Sequence, residues 1–369
     1  MIRWLIVLTT VMSLVVIGIL AVYDYDSGSE PLRKKTHVAM VMRGFKNDHS
    51  WNETHYEAME SVARRLNLEV AYYEDTHSDS TAYNIMEKAI ANGAQIVISN
   101  SFDFGAAAMA MAKRYPKVKF LHAAGVRTTA NMSTFFGRVY QMRYLSGIVA
   151  GLKTKTNEIG YVAAYKIPEV VRGIDAFALG VQKVNPQAKV FVSWSRSWSD
   201  ESMSADATHE LLKKHHVDVL TVHLDALSPY EIANEKGIWI VGYNMDNSAR
   251  FPDRFLTAPV WHWEKFYETQ IRDILFGNFV SRRHWLGMES GVLDLAPFSP
   301  HVDKDIVQIV EQEKELLARN RRDIFWGPIV DNHGMVRVEK GECIPDEDLL
   351  EHFDWYVKGV IDGIKSQKY

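Results

Sequence analysis

Apolar and polar positions along this chain follow two periods in turn, and the switching between them predicts the fold. A buried strand over 37–42 leads through a polar loop, 43–50, into a helix in which Trp51, His55, Met59, Val62, Ala63 and Leu66 recur at the 3.6-residue spacing. The alternation continues with a strand over 68–73, a helix over 81–92 stopped at Gly93, and a strand over 94–99. An alanine-rich helix over 106–115, ended by Pro116, and a strand over 119–123 follow. A second series begins with a strand over 159–164. It places helices over 168–185, 202–215 and 229–236 between strands over 190–194, 217–223 and 238–243, then adds a strand over 255–260 and a helix over 264–276. Short apolar strands separated by helices of this length form parallel sheets covered on both faces.

Between the two series lies a seam, residues 134–164. It starts polar and aromatic and becomes a helix carrying Ser146, Gly147, Ala150 and Gly151, small residues that let another backbone come close. The expected division is a first lobe over 36–140 with return segments from about 287–369, and a second lobe over 141–286. Residues 287–295 are expected to cross back toward the first lobe, 303–319 to form an amphipathic helix, 329–338 a hairpin, and 346–364 a last helix. Two or three such crossings make a hinged clamshell.

Composition narrows the class. With 369 residues, 47% of them hydrophobic, the chain can fill two cores. A net charge of -4, with Lys and Arg scattered, gives no basic footprint and excludes nucleic acid as a partner. The single Cys343 excludes an internal disulfide framework and a thiolate metal cluster. Residues 1–23, with Arg3 ahead of an apolar run from Trp4 to Val22, read as a signal peptide or signal anchor, and 24–35 as a tether. The remainder is expected to be periplasmic or otherwise extracytoplasmic, either released or held at the membrane by the apolar segment.

Loops at the carboxyl ends of parallel strands face the cleft between such lobes. Here they carry Asp48, Trp51, Asn52, Phe102, Phe104, Trp198, Asp225, Asn244, Asp246 and Trp261 as candidate ligand-binding residues. Flat rings beside side chains that donate and accept suit a planar ligand with a polar edge. Each also has a plainer reading. Trp51 can staple the start of its helix, one of Phe102 and Phe104 can belong to the core, and Trp261 can pack the hinge. Asp225, Asn244 and Asp246 can cap helices or turns. Trp198, flanked by Ser197 and Ser199 in a polar loop, is the least natural as core. No histidines stand at metal-ligand spacing, and no nucleotide-binding or hydrolase motif follows a strand, so neither metal, cofactor nor catalysis is expected.

The collinear series Asp48-His49-Ser50-Trp51-Asn52, Gly137-Arg138, Ile167-Pro168-Glu169-Val170, Ser197-Trp198-Ser199-Asp200 and Gly242-Tyr243-Asn244-Met245-Asp246, with the tail pattern Ile324-Phe325-Trp326-Gly327-Pro328, resembles the basic membrane protein family. These are ABC-transporter substrate-binding proteins for purines and purine nucleosides. The resemblance implies an α/β fold of the type I periplasmic-binding-protein kind, with two Rossmann-like lobes joined by a hinge. It also implies a monomer, a membrane permease as partner, and a nucleobase stacked between Trp51 and Trp198 with its edge read by Asn52. Nucleoside-binding members carry a lysine where this chain has Trp261, and a ribose-binding acid where Gly105 or Ala106 stands. Loss of both polar partners implies a free base, such as adenine, over a nucleoside. A membrane-anchored purine sensor and a nucleoside hydrolase are the alternatives on the same architecture.

Overall fold

The computed structural model describes residues 35–320 and 323–363, so the expected signal segment, and the tether up to residue 34, lie outside the described residues. The first series comprises β1 (Thr36–Val41), α1 (Trp51–Leu66), β2 (Leu68–Tyr73), α2 (Ser80–Ala91), β3 (Ile96–Ser99), α3 (Gly105–Arg114), β4 (Lys119–Ala123) and β5 (Met132–Gly137). Next come α4 (Val139–Lys153), β6 (Glu158–Ala163), α5 (Pro168–Val184), β7 (Lys189–Trp194), α6 (Glu201–Lys214), β8 (Val219–His223), α7 (Ser228–Glu235), β9 (Trp239–Val241) and β10 (Phe255–Thr257). The last part holds β11 (Pro259–Trp261), α8 (Trp263–Leu275), β12 (Arg283–Leu286), β13 (Leu293–Leu295), α9 (Lys304–Asn320), β14 (Ile329–Val330), β15 (Val336–Val338) and β16 (Val360–Asp362).

Two six-stranded sheets result, ordered β12-β5-β4-β3-β1-β2 and β10-β9-β8-β6-β7-β16. The pairings of β3 with β1 and β4, of β5 with β4 and β12, and of β6 with β7 and β8 are all parallel. This is the expected two-lobed α/β architecture. Helix starts follow side-chain chemistry: Asp79 and Asp200 accept the Thr81 and Met203 backbone N–H at 2.7 and 2.8 Å, and Pro168 opens α5.

The chain crosses between the lobes at 137–139, at 257–263 and at 286–293. Strands β11 and β13 pair antiparallel, Trp261 opposite Leu293, and so tie the second and third crossings together. Helix α8 packs on α1 and β12 extends the first sheet, so the return to the first lobe occupies 263–286 rather than the expected segment from 287. From 287 onward the chain runs the other way: α9 packs on α4, and β16 pairs in parallel with β7 at the edge of the second sheet. The expected final helix is also replaced. A single π turn over Asp348–His352 gives way to extended chain, and Gly359 takes a φ of +94° just before β16.

The small residues of the seam serve close helix packing. A Cβ on Gly147 would lie 2.1 Å from the Phe177 carbonyl oxygen, and one on Gly180 would lie 1.9 Å from that of Tyr144, so α4 and α5 meet backbone to backbone. The C-terminal segment braces the first crossing. Arg138 donates to both carboxylate oxygens of Asp346 at 2.7 and 2.6 Å, Tyr140 Oη donates to Asp323 at 2.6 Å, and Arg172 donates to the Leu349 carbonyl at 2.9 Å. The Val357 N–H reaches Asp175 at 3.0 Å, and burial pushes that carboxyl well above the usual carboxylate range.

Candidate functional site

The loops after β1 and β3 in the first lobe face those after β6, β7, β8 and β9 in the second. In the first lobe, Asp48 accepts the backbone N–H of Ser50, Asn52 and Glu53 at 2.9, 2.9 and 3.0 Å, so its carboxylate caps α1. Asn52 is buried and committed within the lobe. Its Nδ2 donates to Asp48 at 2.7 Å, while its Oδ1 accepts from Asn100 Nδ2 at 2.8 Å and Gly44 N at 3.3 Å. Trp51, half-buried, donates its indole N–H to the Asn100 carbonyl at 2.6 Å. Its ring stands edge-on to Trp261 and Trp263 at 5.5 and 5.7 Å.

The two phenylalanines separate. Phe104 is 0% exposed, in the core cluster that includes Ala82, Met86 and Met111, whereas Phe102 is 61% exposed. They flank Asp103 in a 3-10 turn, which turns side chains by about 120° per residue and so parts neighbours two positions apart. Phe104 is therefore packing rather than cleft lining here. Asp246 is exposed and accepts the Ser248 N–H at 2.9 Å, the turn-forming role.

Four other groups meet across the lobes. Ser50 Oγ donates to Asp225 Oδ1 at 2.6 Å, and Asn244 Nδ2 donates to the same oxygen at 3.0 Å and to Ser50 Oγ at 3.1 Å. Trp261 Nε1 donates to Asn244 Oδ1 at 2.8 Å, closing the chain. Burial, and then the nearby charge of Asp48, push the Asp225 carboxyl up to about 7. Its backbone N–H donates to the Trp198 carbonyl at 2.6 Å, fixing the β7 loop to the β8 loop. Trp198 is half-buried, with its ring 5.7 Å from Tyr165 and 6.4 Å from His223.

Beneath this wall lies a polar network that sequence reasoning missed. His223 is fully buried between two phenols, Nδ1 3.0 Å from Tyr161 Oη and Nε2 3.0 Å from Tyr243 Oη. Burial, then the charges of Arg143 and Arg172, push its pKa well below the usual value, so it stays neutral. Arg143, fully buried, stacks on Tyr243 at 4.0 Å and donates to the Val222 carbonyl at 2.7 Å. The available signal was Arg143 as the single charged residue of the helix over 139–151. The arrangement sets carboxyl and amide groups beside aromatic rings where the two lobes meet. Among the described residues no group of three or more His, Cys, Asp or Glu is placed to hold a metal, and no helix is long and apolar enough to cross a membrane.

Comparison with known proteins agrees with this layout. A purine-binding protein of Brucella abortus (strain 2308) is 32% identical over 91% of this chain and 96% of its own length. A protein of Haloferax volcanii, provisionally named as an ABC transporter glucose-binding protein, is 29% identical over 92% of this chain and 84% of its own. Among solved structures, an ABC transporter solute-binding protein from Conexibacter woesei superimposes with a TM-score of 0.66 at 20% identity, covering 78% of this chain and 98% of the other. The family model described as "ABC transporter substrate-binding protein PnrA-like" matches residues 35–321. The chain thus belongs to the Bmp family of ABC-transporter substrate-binding proteins, whose members work outside the cytoplasm.

Proposed function

We propose that this substrate-binding protein takes up a purine-type free base, adenine-like, in the cleft between its lobes and passes it unaltered, as a monomer, to an ABC permease. The base stacks between Trp51 and Trp198, and Asp225 with Asn244 reads its polar edge. The observation that carries this reading is the Ser50–Asp225–Asn244 cluster, which sets a carboxyl and an amide where both lobes can engage one ligand. The relative of 32% identity named for purine binding supports the ligand class. Selection of the base over its nucleoside follows from missing sugar partners. The Trp261 N–H is already spent on Asn244, and Gly105 has no side chain. Buried ribose hydroxyls would go unpaired there.

Calorimetry with adenine, adenosine and glucose tests the proposal: adenine should bind most tightly of the three, and tighter binding of adenosine or glucose would sink it. Base–aromatic stacking contributes about 1 to 3 kcal/mol, so Trp198→Ala should weaken adenine roughly ten- to a hundredfold. An unchanged constant would remove Trp198 from the site.

A further inference from the structure

We propose that Glu169 is a second specificity-determining carboxylate of this cleft, accepting the imidazole N–H of an unsubstituted purine and so rejecting purines substituted at N9. The inference rests on the purine reading above and deepens it. Glu169 sits in the first turn of α5, a few residues beyond the carboxyl end of β6. That is the cleft-facing edge of the second sheet, the edge that also presents His223, Asp225 and Trp198. Its side chain is 19% exposed, and Oε1 lies 3.9 Å from His223 Nε2, beyond hydrogen-bond reach. His223 is not free to close that gap, since Tyr161 and Tyr243 occupy its two nitrogens.

The neighbouring cations send their terminal nitrogens elsewhere, although the buried Nε of each has no partner. Arg143 donates to Thr221 Oγ1 and the Val222 carbonyl, and Arg172 to the Leu349 carbonyl. Burial raises the Glu169 pKa, while the charges of Arg172 and Arg143 act to lower it. The two arginines thus balance the carboxylate's charge at a distance without supplying it hydrogen bonds. A carboxylate offers about four lone-pair positions, and those of Glu169 remain open to water in the free protein. A ligand N–H can therefore take one of them, and a ligand that covers the carboxylate without supplying a donor leaves it unpaired.

A free purine base carries one N–H on its five-membered ring, and substitution at N9 replaces it with carbon. With Asp225 taking an amino group and Glu169 the ring N–H, the second lobe would read two donors. The ligand class is then an aminopurine with an unsubstituted imidazole ring. A substituted ligand would leave Glu169 buried and unpaired, which sites of this kind reject strongly.

The test is titration of the full-length protein, and of its Glu169→Ala and Glu169→Gln variants, with adenine and 9-methyladenine. The wild type should bind adenine at least tenfold more tightly than 9-methyladenine. Glu169→Ala should weaken adenine at least tenfold and leave 9-methyladenine within about threefold, collapsing the ratio. Glu169→Gln keeps the volume should the alanine variant fail to fold, and it should narrow the same ratio. Equal weakening of both ligands, or no change in either, would mean a structural role and overturn the inference. A wild type that binds both ligands alike overturns it while the purine reading stands, and one that binds neither overturns both.

Discussion

Replacing Asp225 with asparagine is expected to weaken adenine binding about ten- to a hundredfold at pH 8 and to flatten its pH dependence. Hydrogen bonds to a charged acceptor contribute about 1.5 to 3 kcal/mol, and the variant keeps the shape while removing the charge. The pH dependence follows from the carboxyl being pushed up to about 7 by burial, with Asp48 adding to the shift. Below that pH the group holds its proton and accepts an amino group poorly. Above it the carboxylate is charged and accepts an amino group more strongly, although Ser50 and Asn244 already donate to Oδ1. Wild-type affinity should therefore be level above about pH 8 and fall up to roughly tenfold per unit as the pH drops below 7. Calorimetry from pH 5.5 to 8.5 on both proteins reads this directly. Identical, flat profiles would show that Asp225 braces the lobes and does not meet the ligand.

The second large effect concerns stability. Gly147→Val should cost about 3 kcal/mol, at the upper end of overpacking penalties, because the added carbons meet a backbone and not a side chain that can swing away. The Phe177 carbonyl oxygen lies 2.1 Å from where the first of them would sit, and Gly180 makes the reciprocal approach to Tyr144. Helices α4 and α5 would have to part along their length, dragging β6 and the first crossing with them. Urea unfolding gives the value. A loss under about 1 kcal/mol would mean that the pair slides apart freely.

That contact was readable in the chain, since glycine and alanine inside an apolar helix already signal a close neighbour. The long periodic helices were readable for the same reason, their buried stripes being set by spacing alone. Strand β5 was not. All six of its residues are buried, two of them Ser133 and Thr134, so it shows neither alternation nor a clean apolar run. Strand β12 hides behind Arg282 and opens on Arg283, tolerable because it is an edge. For the cleft, the rule about strand ends located the right loops but could not say which atoms within them were already engaged. Asn52 is spent inside its own lobe, Phe104 is turned into the core by a 3-10 turn, and the pairing of Ser50 with Asp225 joins residues 175 positions apart.

The match to the family model ends at 321, yet the second sheet is finished by β16 and the first crossing is clasped by Asp323 and Asp346. A chain trimmed at that border would leave β7 as a raw edge able to recruit a strand from another molecule. It would also strip Arg138 of its carboxylate partners, Arg172 of the Leu349 carbonyl and Asp175 of its donor. For this protein the edge of the model match is not a folding boundary: residues 323–362 are the keystone of the second lobe rather than an appendage to it.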